Sequence, residues 1–290
     1  MCDDFIHQGL IADSGISRRT FGAAIATGAA MVAMPAAART ADVVERDVDI
    51  VTPDGTCDEV QFHPAGKGRW PAVLIWTDIM GLRPAFRDMG HRMAAAGHVV
   101  LVPNPFYRSR RAPVVEGPVD LNDPAQRSAL NAYRTAMGGE AGAQRDAKAF
   151  LAHLDAQPQT DSGRKAGVQG YCMGGALAFY TAAAVPARIA AVASFHGGTG
   201  LVTDQPDSPS LTVAHTRATY LVGQAQNDDQ KDPAMKERLR AALEQAGRPA
   251  TVEVFPADHG WCVPGGHAYD AAQAEKAWGD LLRLYAGTLV

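Results

Sequence analysis

The chain has 290 residues, 47% of them hydrophobic, and a formal net charge of −4, so it carries enough apolar material for a sizeable core in one large domain or two small ones. It lacks the basic excess that neutralises phosphate backbones, its one short basic run being Arg108-Ser109-Arg110-Arg111, and nucleic acid is excluded as an expected partner. Its four cysteines, Cys2, Cys57, Cys172 and Cys262, show no Cys-x-x-Cys spacing, which argues against a zinc ribbon or a thioredoxin-type redox pair.

Ser17-Arg18-Arg19-Thr20-Phe21-Gly22 is a twin-arginine sequence. An uncharged, Ala- and Gly-rich apolar stretch follows over residues 22–34, and Ala36-Ala37-Ala38 supplies a small-residue cleavage site. Together these features predict an export signal over residues 1–38, read by the twin-arginine machinery, and a mature single-domain chain over 39–290 located in the periplasm. The apolar stretch falls well short of the roughly 20 residues a bilayer requires, so no stable membrane span is expected. Export leaves three cysteines in an oxidising compartment, and with an odd number at least one thiol stays free. Cys57 and Cys262 read as small, partly buried residues.

In the mature chain, residues 43–51 and 56–63 alternate polar and apolar side chains about the turn Thr52-Pro53-Asp54-Gly55, the period of a half-solvated antiparallel hairpin at a sheet edge. From Trp70 onward the pattern changes to short continuous apolar runs, at 72–76, 99–103, 165–169, 189–195, 219–223 and 251–255, which predict buried parallel strands. Between them run helical stripes: Leu82, Phe86, Met89 and Met93; Ala147, Phe150, Leu151 and Leu154; Met235, Leu239, Leu243 and Ala246; and Ala271, Ala274, Trp278, Leu281 and Tyr285. Residues 108–123, rich in proline and charge, read as a surface loop. The alternation predicts an α/β fold, a doubly wound and mostly parallel sheet of about eight strands flanked by helices. Ligands of such sheets bind beyond the carboxyl ends of the strands.

At one of those ends the strand 165–169 runs into Gly170-Tyr171-Cys172-Met173-Gly174-Gly175 and then an Ala-rich helix over 176–184. This is the context of a Gly-x-nucleophile-x-Gly elbow, whose tight turn demands small residues two before and two after the nucleophile. Cys172 therefore reads as a nucleophile lifted over the sheet at a helix N-terminus, where partial positive charge favours thiolate. An acid and then a base are expected in loops after later strands. Gln224-Ala225-Gln226-Asn227-Asp228-Asp229 offers two aspartates, and Pro256-Ala257-Asp258-His259-Gly260-Trp261 offers His259 as the base. Tyr171 beside the nucleophile and His196 at a strand end are expected to line the substrate pocket. No His-Glu-x-x-His or similar ligand set occurs, so neither metal nor other cofactor is expected.

From about residue 45 to the end, the sequence resembles the dienelactone hydrolase (carboxymethylenebutenolidase) family of α/β-hydrolase-fold enzymes. The likeness rests on the Gly-x-Cys-x-Gly-Gly elbow at 170–175, the His259-Gly260-Trp261 step, and Asn227, Asp228 and Pro233, whose spacing favours Asp228 over Asp229 as the triad acid. It implies hydrolysis of small-molecule esters or lactones through a Cys172–His259–Asp228 triad, with Met173 and Ile79 supplying oxyanion-hole amides. It further implies a carboxylate that activates the nucleophile, where Asp78 stands one methylene shorter than the family's glutamate, and an arginine for a substrate carboxylate, matched by Arg108. A second arginine expected four residues after the histidine is replaced by Val263. Two alternatives stand beside this reading: a general esterase that does not take dienelactone, and a thiol-dependent redox or acyl-transfer enzyme on the same scaffold.

Overall fold

The computed structural model describes residues 42–290 except 116 and 118–122. The expected export signal, residues 1–38, lies outside the described residues.

The described residues begin with β1 (Val43–Thr52) and β2 (Gly55–Pro64), paired antiparallel around the predicted turn. Then follow β3 (Ala72–Trp76), α1 (Pro84–Ala95), β4 (Val99–Pro103), α2 (Pro124–Ala136), α3 (Gly139–Ala156) and β5 (Ala166–Tyr171). The second half contains α4 (Met173–Ala184), β6 (Ile189–Phe195), a short α5 (Pro209–Thr212), β7 (Thr219–Ala225), α6 (Gln226–Lys231), α7 (Met235–Gln245), β8 (Ala250–Phe255) and α8 (Ala271–Thr288). Among the described residues eight strands join one sheet in the order β1-β2-β4-β3-β5-β6-β7-β8. The pairs from β4 to β8 are parallel, and β1 and β2 are antiparallel additions at one edge.

Most of the predicted buried strands are buried for the expected reason, since β3 and β4 are apolar throughout and covered on both faces; β8 differs, because it lies at the sheet's other edge and leaves Ala250 and Thr251 exposed. One core packs around Trp76, Phe150, Phe179 and Tyr220 on the face that carries α3 and α4. The other packs around Phe62, Phe86, Phe255 and Trp261 on the face that carries α1 and α8.

Three local differences from the sequence reading have physical causes. Of the two hairpin strands, only β1 is half-solvated. β2 is buried over most of its length because α1 closes on one face, where Phe62 lies against Gly90, and α3 on the other, where His153 hydrogen-bonds Gln61 at 2.9 Å. The helix after the elbow starts at Met173, three residues earlier than its Ala-rich stretch suggested, because the glycines are needed for close approach and still continue the helix. The segment after β7 is not a loop but α6, which begins at once and puts Asp228 in its first turn.

Cys57 and Cys262 are both free and buried, and they belong to the separate cores on opposite faces of the sheet. Among the described residues no helix is long and apolar enough to cross a membrane.

Candidate active site

A single residue, Cys172, separates β5 from α4, and it takes φ 54° and ψ −118°. A left-handed backbone at a residue with a side chain costs on the order of 1–3 kcal/mol and persists only when its surroundings enforce it. Here they do. A Cβ at position 170 would lie 1.9 Å from the Gly174 carbonyl oxygen, and one at 174 would lie 2.5 Å from that of Thr77. The two glycines thus let β5, the first turn of α4 and the loop after β3 close on one another. The Cys172 carbonyl accepts the Gly175 N–H at 3.0 Å, while the Cys172 N–H is shared between the Phe195 carbonyl at 3.0 Å and His196 Nδ1 at 3.1 Å. No side chain caps α4, so its first amides, Met173 among them, face the site with the positive end of the helix behind them.

His259 lies in the loop after β8, where its backbone N–H donates to Asn227 Oδ1 at 2.9 Å. Its Nδ1 meets Asp228 Oδ2 at 2.5 Å, which assigns the proton to Nδ1 and leaves Nε2 for the Cys172 sulfur. Burial disfavours the His259 imidazolium, but the Asp228 hydrogen bond and then the Cys172 sulfur outweigh it and raise the pKa from 6.5 to about 10. Burial likewise pulls Asp228 upward; His259 and then Lys231, whose Nζ lies 3.2 Å from Oδ1, more than offset this, and the carboxyl ends below its ordinary value. The neighbouring Asp229 is held instead by Lys236 at 2.6 Å, so the acid at the histidine is Asp228.

The other expected site residues are placed differently. Asp78 follows the loop backbone that touches Gly174, but both its oxygens are engaged: Arg83 donates to them at 2.6 and 2.7 Å, and the Met80 N–H reaches Oδ1 at 2.9 Å. Ile79, next to it, is half-buried, and neither its N–H nor that of Met173 donates to a backbone carbonyl outside regular elements.

Arg108 is committed elsewhere. Its guanidinium makes a side-by-side pair with buried Asp146, both bonds at 2.8 Å, and reaches Asp54 at 2.6 Å, so it has no free edge to offer a substrate carboxylate. Tyr171 and His196 are 4% and 1% exposed and present almost no surface to a substrate. The Tyr171 ring packs between Phe86 and Phe195, and its hydroxyl accepts from Gln169 Nε2 at 2.8 Å. A cavity of about 120 Å³ between α1 and α8 is lined by Tyr171, Cys262 and Trp278 but by neither Cys172 nor His259.

The sequence reading missed Arg83 and Lys231 as partners of the site carboxylates. The signal for Lys231 was its i,i+3 spacing from Asp228 on a helix. For Arg83 it was an acid and an arginine flanking the turn at Gly81, which takes φ 73°. Among the described residues no three His, Cys, Asp or Glu side chains gather as a metal site.

A mostly parallel eight-stranded sheet, with a left-handed cysteine between β5 and α4 and a histidine–aspartate pair beyond β8 and β7, defines an α/β-hydrolase. The sequence model of the dienelactone hydrolase family matches residues 58–288, and the chain belongs to that family; it is a hydrolase acting on esters or lactones. A relative from Methylorubrum extorquens is 28% identical over 284 residues, covering 93% of each chain. The carboxymethylenebutenolidase of Rhodococcus opacus is 28% identical over 210 residues, 72% of this chain and 73% of that one. Among solved structures, a dienelactone hydrolase-like promiscuous phosphotriesterase from metagenomic libraries superposes with a TM-score of 0.69 at 22% identity, covering 86% of this chain and 99% of the other, and shows the shared fold.

Proposed function

We propose that the protein hydrolyses carboxylic esters or lactones through an acyl-thioester on Cys172. The observation that carries this reading is one imidazole, His259, partnered on Nδ1 by Asp228 at 2.5 Å and raised in pKa in part by the Cys172 sulfur. In this reading His259 holds the thiol proton while the sulfur attacks the substrate carbonyl, forming a C–S bond. The Met173 and Ile79 amides take the charge that develops on the carbonyl oxygen. The intermediate collapses by breaking the C–O bond to the leaving alcohol, which receives the proton from His259.

The electrostatics favour the second half of the cycle as well. The Cys172 thiol raises the His259 pKa as a hydrogen-bond and charge partner, and a thioester is neither. Acylation therefore lowers the imidazole's proton affinity when it must act as base toward water, whose oxygen attacks the thioester and releases the carboxylic acid and the thiolate. Because Arg108 is taken up by Asp146 and Asp54 and Val263 is buried and apolar, neutral esters and lactones fit better than substrates that need a pair of arginines.

The test is hydrolysis of p-nitrophenyl acetate by wild type and Cys172→Ala, with mass spectrometry of the acid-quenched wild type. A 42-dalton acetyl adduct on Cys172, with loss of activity in the variant, is the expected result, the increment being that of about one acetyl group replacing a proton. Equal rates from the two proteins would refute the mechanism.

A further inference from the structure

A buried imidazole lies directly behind the proposed nucleophile. His196 follows the last residue of β6, takes φ 42°, and is tied into the sheet by its own N–H, which donates to the Gly223 carbonyl at 2.7 Å. Its Nδ1 lies 3.1 Å from the Cys172 backbone nitrogen. That nitrogen can only donate, so Nδ1 carries the lone pair and the ring proton resides on Nε2. Nε2 is buried and has no hydrogen-bond partner among the described residues. Burial first, and the charge of His259 second, hold the His196 pKa down to about 3, so the ring stays neutral and Nδ1 stays an acceptor at any ordinary pH. The rings of His259 and Trp261, centred 5.0 and 5.1 Å away, fix its plane.

This is a poor choice for packing alone. A phenylalanine would fill similar space without stranding an N–H donor in the core. What only the histidine adds is the acceptor at Nδ1, and its single partner is the amide of the one residue that must hold a left-handed conformation between β5 and α4.

We infer that His196 is a positioning residue for Cys172: its Nδ1 clamps the Cys172 amide and so fixes the turn that carries both the sulfur and the Met173 N–H. The inference rests on the proposed role of Cys172 as nucleophile. Without the clamp, the Cys172 N–H keeps only the Phe195 carbonyl, the turn between β5 and α4 loosens, and the Met173 N–H is held less firmly where the oxyanion forms. His196 does not touch the substrate, so acylation slows while substrate affinity holds.

Two variants separate the acceptor from the ring. His196→Asn places Oδ1 close to where Nδ1 stood, and His196→Phe keeps the ring and removes the acceptor. With p-nitrophenyl acetate, H196F is expected to acylate about tenfold more slowly at unchanged KM, the rate equivalent of one neutral hydrogen bond, and H196N to regain most of the loss. An H196F protein that acylates as fast as wild type, or an H196N protein as slow as H196F, would overturn the inference. A measurement on wild type does not depend on either variant folding: nitrogen NMR of ¹⁵N-histidine-labelled protein should show His196 protonated at Nε2 and bare at Nδ1, and a proton on Nδ1 would equally overturn it. Mapping the acetyl adduct in wild type keeps the two readings distinguishable. An adduct on Cys172 with unimpaired H196F removes only the role of His196, whereas no adduct on Cys172 removes the nucleophile and this inference with it.

Discussion

Replacing Arg108 by methionine should destabilise the protein and leave recognition of carboxylate-bearing esters unchanged. The Arg108 side chain is 12% exposed and that of Asp146 3% exposed. The substitution keeps an apolar stem but leaves the Asp146 carboxylate in the core with the Tyr107 hydroxyl, at 2.8 Å, as its remaining side-chain donor. Stranding one member of a buried pair costs about 3–5 kcal/mol. The Asp54 contact adds little, because that carboxylate is more exposed and keeps Arg145 at 2.7 Å. For a chain of this size such a loss lowers Tm by roughly 6–20 °C.

The pH dependence has a definite sign. Burial already raises the Asp146 pKa, and Arg108 is the main group opposing that rise. In R108M the folded-state pKa climbs further above its unfolded value, so the deficit is smallest at acidic pH, where Asp146 is protonated, and grows as pH rises through the folded pKa. Adding Asp146→Asn should recover most of the lost stability by removing the stranded charge. Thermal unfolding at pH 5 and pH 8, with Michaelis curves for a neutral ester and a carboxylated one, reads out all of this. An R108M protein with wild-type Tm and a KM raised tenfold for the carboxylated ester alone would refute the structural role and reinstate Arg108 as a substrate ligand.

Three further outcomes are expected. Asp228→Asn removes the partner that fixes the His259 tautomer and should lower kcat by about 10²–10⁴-fold. It should also flatten a stability profile: the raised His259 pKa contributes fully below pH 6.5, the ordinary histidine value, while Asp228 stays ionised, and that contribution is lost as pH rises through about 10, so the fall in wild-type Tm across that window should be smaller in D228N, where only the Cys172 share remains, and an identical fall in both would contradict the assignment. Gly170→Ala forces the 1.9 Å approach to the Gly174 oxygen apart by more than an ångström, and since a misplacement of about 1 Å costs on the order of 10²-fold in rate, wild-type kcat/KM in this variant would disprove the elbow geometry. We also propose export by the twin-arginine route, on the strength of Arg18-Arg19 and the segment after them; changing both arginines to lysine should retain the protein in the cytoplasm of an expressing bacterium, and undiminished periplasmic protein would count against the signal.

What was legible in the sequence was what short-range sterics enforce. Gly170 and Gly174 are spaced by the turn they must close, so the elbow could be read without any knowledge of the fold. Strands β3, β4 and β6 announced themselves because parallel strands buried on both faces are apolar nearly throughout. The choice between Asp228 and Asp229 was harder, because α6 starts immediately after β7 and points adjacent residues in different directions. Lys236 claims one carboxylate, and His259 and Lys231 claim the other. The partners of Arg108 were out of reach: Asp146 lies 38 residues and Asp54 54 residues away in sequence, and nothing in the spacing says that α3 and the β1–β2 turn converge on one guanidinium. His196 stood at the correct strand end, but its use depends on β6 lying beside β5, which turns a prospective substrate contact into a clamp on the neighbouring backbone.

The same convergence bears on Asp78. A carboxylate that activated the thiol directly would have to leave Arg83, which grips both its oxygens, and the Met80 N–H as well. The side chain is 7% exposed, and hydrogen bonds to charged groups contribute about 1.5–3 kcal/mol each, so the departure is unfavourable unless something else satisfies Arg83. His259 needs no such rearrangement, because Asp228 already holds its Nδ1 at 2.5 Å and raises its pKa in the unliganded protein. The proposed chemistry therefore draws its thiolate from the Cys172–His259–Asp228 line. Asp78 then fixes, through Arg83 and the turn at Gly81, the loop that presents the Ile79 amide. On that account Asp78→Asn, which keeps the shape but weakens the grip of Arg83, should slow acylation by loosening the oxyanion hole while leaving the alkylation rate of Cys172 by iodoacetamide unchanged. A matching fall in the alkylation rate would instead make Asp78 part of the thiol's activation.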